Sequence, residues 1–166
     1  GGNMNLHGRW IFADAPIEIE IEEGLIQSCI EVDSVPADTY LAPGFVDAQV
    51  NGFAGSDYSL DVLTLDHIVA IERSMRNAGA TRHVATLVTS PQDRITSNLA
   101  RIAEAARSEP TLAGAIQGIH LEGPYISDED GPRGAHDRQY VRDPDPSELD
   151  EWIDASGGLI SVVTLA

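Results

Sequence analysis

Residues 83–121, HVATLVTSPQDRITSNLARIAEAARSEPTLAGAIQGIHL, decide the fold. The apolar and β-branched run at 83–89 reads as a strand. Ser90-Pro91-Gln92-Asp93 then opens a helix, with Ser90 as N-cap and Pro91 in the first turn. Ile95, Leu99, Ile102 and Ala106 recur at helical spacing, which gives that helix one buried stripe ending before Pro110. A second apolar run at 115–121 returns to strand. A strand, a crossover helix and a strand imply parallel pairing, because the chain must cross the sheet to start again in the same direction.

The same alternation continues on both sides. Upstream, residues 41–50 read as a strand and 65–78 as a helix with Leu65, Ile68, Met75 and Ala78 on one stripe and Gly79 as its stop. Downstream, after a long loop, residues 147–155 read as a short helix ending at Gly157-Gly158, and 159–165 as a fourth strand. The fold class is therefore α/β, the first four βα units of a (β/α)8 TIM-type barrel, a fold that typically takes ~250 residues. Residues 1–40 differ. Ile17, Ile19 and Ile21 alternate with Glu18, Glu20 and Glu22, Glu23-Gly24 turns the chain, and 25–32 follows as another strand. The expected organisation is an N-terminal β unit at 1–40, a small β-sandwich portion, followed by half of a hydrolase-type barrel at 41–166.

A hydrophobic share of 42% over 166 residues marks a globular chain. The formal net charge of −17 repels nucleic acid and anionic membranes, so neither is expected as a partner. The ten basic residues are all arginine. No apolar run approaches the ~20 residues of a membrane span, and the N-terminus lacks a signal-peptide core, which points to a cytoplasmic protein. Cys29 is the single cysteine; between Ile26 and Ile30 it reads as a buried, inert thiol.

Three stretches carry candidate chemistry. Strand parity places Asp47, Gln49 and Asn51 on one face at a strand's carboxyl end, where barrel active sites lie, although an edge strand with one wet face gives the same pattern. In Gly118-Ile119-His120-Leu121-Glu122-Gly123-Pro124, Glu122 falls where strand becomes loop and suits a hard or borderline cation. His120 reads more simply as a hydrogen-bonded core histidine. The loop at 125–136 is long, and its Arg133 and His136 are donors suited to a sugar hydroxyl or an acyl oxygen; on length alone a solvated acidic loop around Asp128-Glu129-Asp130 stands equally open. Thr89 and Ser90 end a strand at the same face. His7, His67 and His83 read as structural or solvated.

Together these segments resemble the N-acetylglucosamine-6-phosphate deacetylase family of the amidohydrolase superfamily. The resemblance rests on Leu41-Ala42-Pro43-Gly44-Phe45-Val46-Asp47-Ala48-Gln49-Val50-Asn51-Gly52, on Thr86-Leu87-Val88-Thr89-Ser90, on His120-Leu121-Glu122-Gly123-Pro124 with Gly134-Ala135-His136, and on the tail from Val141 to Ala166. Ala85 stands where the family usually has proline. Gln49-x-Asn51 replaces the His-x-His of most amidohydrolases, and amides are poor substitutes for imidazoles toward a borderline metal, so the resemblance implies one divalent ion, zinc or iron. It implies Glu122 as a metal ligand, Gln49 and Asn51 beside the metal, and His136 and Ala135 against the sugar. The remaining ligands, two histidines, and the catalytic aspartate are expected beyond Ala166, so none of the chain's own residues is assigned a catalytic role and the chain is expected to be an N-terminal part.

The implied reaction removes the acetyl group of N-acetylglucosamine 6-phosphate through metal-activated water, leaving glucosamine 6-phosphate and acetate. Another amidohydrolase acting on a different N-acyl or cyclic amide, and a non-catalytic half-barrel scaffold, stay open at this point. A half barrel would leave Val163 and Leu165 on an unpaired edge, so the chain is expected to be a homo-oligomer or to pair with its missing half.

Overall fold

The computed structural model describes residues 2–166, and the chain divides into two compact units, Gly1–Pro43 and Gly44–Ala166. In the first, β1 (Met4–Trp10), β2 (Ala15–Glu22), β3 (Leu25–Glu31) and β4 (Tyr40–Leu41) form one sheet in the order β3-β2-β1-β4. The isoleucines of β2 set its register, with Ile17 opposite Gly8, Ile19 opposite Leu6 and Ile21 opposite Met4. Glu23 (φ 51°) and Gly24 (φ 77°) both take the left-handed backbone that a two-residue hairpin turn requires. The expected sandwich is a single layer among the described residues of this unit. Its outer strand, β3, leaves Leu25 and Ile26 each 67% exposed, and Cys29 is exposed with them. The buried-thiol expectation fails because nothing in this unit covers an edge strand that is apolar on both faces.

The second unit runs β5 (Phe45–Val50), β6 (Gly52–Phe53), β7 (Ser56–Asp57), α1 (Leu65–Asn77), β8 (Ala80–Val88), α2 (Gln92–Ser108), α3 (Pro110–Ala115), β9 (Ile116–Glu122), α4 (Pro146–Ala155) and β10 (Ile160–Val163). The sheet order is β10-β9-β8-β5, and every neighbouring pair is parallel. Spatial neighbours are thus successive strands. With right-handed crossovers this order lays all the helices on one face. One core joins Ile68 and Ile71 of α1, Leu99 and Ile102 of α2 and Trp152 of α4 to Ala85, Leu87, Ile119 and Leu121 of the sheet. The other face carries Thr86 and Val88 in register with His120 and Glu122. No helix among the described residues is long and apolar enough to cross a membrane.

Several boundaries depart from the sequence reading. The strand expected at 41–50 is two strands in two sheets, because Pro43 offers no N–H and Gly44 approaches so closely that a Cβ there would lie 2.1 Å from Thr81 Oγ1. On α1 the buried stripe is Ile68, Ile71 and Met75, with Glu72 beside them, while Leu65 and Ala78 are exposed. The helix is capped by Thr64, whose Oγ1 accepts from the His67 backbone N–H, with the His67 imidazole accepting in return from Thr64 N–H. Gly79 (φ 91°) stops it as expected. Ser90 is not a cap: Pro91, extended at ψ 146°, holds the N-cap place of α2 and makes no side-chain capping bond. The short α3 was not anticipated; Pro110 occupies its first turn, where a missing N–H costs nothing.

Candidate active site

The carboxyl ends of β8 and β9, with the segments that follow β5 and β9, surround a cleft of about 1110 Å³. Glu122, the last residue of β9, is half-buried at its floor, and its Oε2 accepts a 2.9 Å hydrogen bond from Asn51 Nδ2. Residues 71 apart are thereby brought together, and Asn51 aims one carboxylate oxygen while leaving the other to the cleft. Across from them, His136 Nδ1 lies 2.9 Å from Thr89 Oγ1, and Ala135 borders the same space. Thr89 is 6% exposed and Ser90 4%, so the end of β8 forms a packed wall. Gly123 makes that wall possible: its φ of 91° is one that side chains resist, and a Cβ would fall 2.1 Å from Thr89 Oγ1.

The loop holding His136 is folded on itself. Arg133 Nη1 donates to the His136 carbonyl at 3.0 Å, its Nη2 pairs with Asp130, and its backbone N–H donates to the Glu129 carbonyl at 3.0 Å. Arg133 Nε is buried without a partner among the described residues. The loop is therefore built around Arg133, and the solvated-acidic-loop reading holds only for its tip, where Asp128 pairs with Arg138 at 3.0 Å.

The parity argument that grouped Asp47, Gln49 and Asn51 does not hold. Asp47 is in register with His83 and Val50 with Ala85, three steps on one strand against two on the other, so β5 carries a bulge that reverses the alternation. Asp47 folds back to accept from the Gln49 N–H at 3.1 Å. Gln49 is exposed and borders a second hollow with Phe53 and Met75, and the cleft that holds Glu122 is not lined by it. Asn51 alone of the three reaches Glu122.

His120 is a core histidine, 8% exposed and 2.8 Å from Thr164 Oγ1. His83 is 1% exposed and 2.7 Å from the Tyr58 hydroxyl. Burial pushes both imidazoles below their ordinary pKa, with Glu72 and Asp47 pulling His83 part of the way back and Glu122 doing so for His120. A histidine depressed in the fold binds fewer protons than the unfolded chain at pH below 6.5, so stability is fully present above that value and declines as pH falls through it. The melting temperature is expected to drop between pH 7 and 5.5, and a His83→Gln, His120→Gln double variant to flatten that dependence. Relief of the −17 self-repulsion acts in the opposite direction, so a wild-type midpoint that stays level while the double variant rises supports the assignment; identical profiles refute it.

Sequence reasoning missed the outer rim of the cleft: Asp57, Ser59, Asp61, His67 and Arg94. Ser59 Oγ accepts from Val88 N–H at 2.9 Å, which ties this rim to the end of β8, and Arg94 pairs with the exposed Asp61 at 2.5 Å. The available signal was Ala54-Gly55 between Phe53 and Ser56-Asp57, which turns β6 into β7 with φ of 53° and 90°.

No group of three or more His, Cys, Asp or Glu side chains able to hold a metal ion occurs among the described residues. A divalent ion is compatible with Glu122 as one oxygen ligand, aimed by Asn51, and needs its other ligands from elsewhere.

A parallel α/β sheet with a carboxylate and an imidazole lining one cleft at its strand ends defines an α/β unit with a candidate ligand site at the carboxyl edge. No family model matches the chain. Among curated proteins it is 34% identical over 169 residues to the N-acetylglucosamine-6-phosphate deacetylase of Vibrio furnissii, covering 97% of this chain and 41% of that protein. It is 36% identical to the mouse enzyme of the same name, over 76% of this chain and 31% of that one. The structure of Mycobacterium smegmatis N-acetyl-D-glucosamine-6-phosphate deacetylase, a mutant in complex with N-acetyl-D-glucosamine-6-phosphate, superposes with a TM-score of 0.80 at 30% identity, covering all of this chain and 44% of that chain. The Thermotoga maritima enzyme gives 0.75 at 28% identity over 89% of this chain and 39% of that one. The chain thus matches the N-terminal part of N-acetylglucosamine-6-phosphate deacetylases, which bears out the resemblance read from its motifs, and it spans less than half the length of these relatives.

Proposed function

We propose that this chain is the N-terminal part of a metal-dependent hydrolase that cleaves the acetamide of N-acetylglucosamine 6-phosphate to acetate and glucosamine 6-phosphate. The observation that carries this reading is that Glu122 and His136 line one cleft, on a chain 30% identical to a deacetylase solved with that sugar phosphate. In this reading the four parallel strands are the first half of a (β/α)8 barrel and the cleft is its carboxyl-end mouth.

A bound divalent ion, zinc or iron, supplies Lewis acidity and an activated water. Glu122 would hold it, with Asn51 keeping the carboxylate in one rotamer through the bond to Oε2. His136 donates toward the acyl oxygen or a sugar hydroxyl, with Ala135 closing the pocket beside it. The position of Gln49 outside the cleft does not support a place for it beside the metal. The proton shuttle and the remaining ligands lie on later segments. The open edges, with Phe45 of β5 73% and Val162 of β10 45% exposed, support pairing with further chain or a second copy, and the proposed whole protein is a cytoplasmic homo-oligomer.

Acetate release by the whole gene product, supplied with divalent metal, tests the reading. Turnover of N-acetylglucosamine 6-phosphate in strong preference to unphosphorylated N-acetylglucosamine is expected. No turnover by a folded, metal-loaded protein refutes the substrate, and indifference to the phosphate moves the activity to another amide.

A further inference from the structure

His136 borders the cleft with one ring nitrogen already engaged. Nδ1 lies 2.9 Å from Thr89 Oγ1, and no other hydrogen bond to that ring is made among the described residues. A neutral imidazole has one donor and one acceptor nitrogen, so the direction of this bond decides what the other nitrogen offers to a ligand. Two arrangements exist. In one, the Thr89 hydroxyl donates to Nδ1 and the proton of the ring sits on Nε2. In the other, Nδ1–H donates to Thr89 Oγ1 and Nε2 is a bare acceptor.

The surroundings of Thr89 choose between them. Its side chain is 6% exposed, and Oγ1 is pressed against Gly123, where even a Cβ would come within 2.1 Å. The Thr89 hydroxyl makes no other hydrogen bond among the described residues. If Nδ1–H were the donor, the hydroxyl proton would be left without a protein acceptor in a packed wall, and such unmade bonds are costly. If the hydroxyl donates, every polar group in the pair is satisfied and Nε2–H is left free toward the cleft. The backbone adds to the arrangement: Arg133 holds the His136 carbonyl at 3.0 Å, so the ring is presented by a loop fixed at its base.

From this geometry we infer that Thr89 is a positioning residue that sets the tautomer of His136, holding Nε2 as a hydrogen-bond donor toward the carbonyl oxygen of an acyl group in the cleft. Gly123 is part of the device, because only a residue without a side chain lets the hydroxyl sit where it does. The inference rests on the proposed role of His136 for its consequence in catalysis, although the tautomer itself is independent of substrate.

The test uses the whole gene product with 15N-labelled histidine. The one-bond and two-bond 15N–1H correlations of His136 separate the two neutral tautomers, assigned by loss of the signal in His136→Gln. The wild type and Thr89→Ser, which keeps the hydroxyl, are expected to show the proton on Nε2, and the near-isosteric Thr89→Val to show a mixture. In acetate release, Thr89→Val is expected to lose about 10–100-fold in kcat/KM, mostly in kcat, and Thr89→Ser to recover most of it, the size usual for partners that orient a functional imidazole. A wild-type spectrum with the proton on Nδ1, or a Thr89→Val spectrum unchanged from wild type, overturns the inference. The wild-type spectrum decides even if Thr89→Val fails to fold. An Nε2–H tautomer without acetate release leaves the positioning role standing and removes only the substrate assignment.

Discussion

Glu122→Gln in the whole gene product is expected to lower turnover on the order of 10²–10³-fold, the loss typical when one electrostatic stabiliser of a reacting centre is removed. The substitution is chosen for what it leaves alone. Asn51 Nδ2 donates to Glu122 Oε2 at 2.9 Å, and a glutamine carbonyl oxygen accepts the same bond, so the pairing of the two segments is retained. Residue volume is nearly unchanged and the end of β9 keeps its register with Val88. What is lost is the anion. A neutral amide oxygen is a weak ligand for a divalent ion, and no cluster of three potential ligands exists among the described residues to make up for it. Bound metal per protomer is therefore expected to fall together with turnover, while the melting curve without metal stays close to wild type. A Glu122→Gln protein that keeps both its metal and its turnover would remove Glu122 from the site.

The parallel order of β5, β8, β9 and β10 was legible because it depends on local periodicity. Runs such as 83–89 and the stripe of Ile95, Leu99 and Ile102 need only the chain itself to declare strand or helix. The site was legible only where one residue could be judged alone. Glu122 was found because a carboxylate beside Gly-Pro at a strand end has few structural reasons to be there. Its partner was not derivable from spacing: Asn51 lies 71 residues away, and the parity that nominated it nominated Asp47 and Gln49 equally. The bulge in β5 that separates them depends on pairing with β8, which no period-two count contains. Ser90 shows a second limit. Its type and place fit an N-cap, yet Pro91 takes that position, and Ser90 is left in the wall of the cleft. The bond from Thr89 to His136 likewise joins residues 47 apart. Local rules thus located the elements, and contacts across the sheet selected which side chains met.

The other large effect is structural. Trp152→Ala is expected to destabilise the second unit by about 3–5 kcal/mol, the usual loss for truncating a fully buried large aromatic. Trp152 is 0% exposed, its ring stacks on Tyr125 at a centroid distance of 5.8 Å, and its Nε1–H donates to Thr96 Oγ1 at 3.1 Å, which fastens α4 to α2. The Arg142 guanidinium lies 5.7 Å from the ring centroid and pairs with Glu148 at 2.6 Å. Glu148, 6% exposed, also accepts from the Tyr125 hydroxyl at 2.7 Å. Burial, reinforced by that carboxylate, holds the Tyr125 phenol well above its ordinary pKa, so it remains a donor throughout the neutral range. Removing the indole leaves a cavity beside the buried Glu148 carboxylate, and admitted water weakens its pair with the partly exposed Arg142. Tyr125 opens the loop that ends at His136, so the loss reaches the cleft. Whole-domain stabilities are about 5–15 kcal/mol, and a loss of this size brings the chain close to unfolding. Trp152→Phe keeps most of the burial and loses the bond to Thr96, whose hydroxyl still donates to the Gln92 carbonyl at 2.9 Å, so about 1–2 kcal/mol is expected. Urea titration of the three proteins measures the order directly. A Trp152→Ala unfolding free energy within about 1 kcal/mol of wild type would mean that α4 is held by its ion pair and not by its aromatic stack.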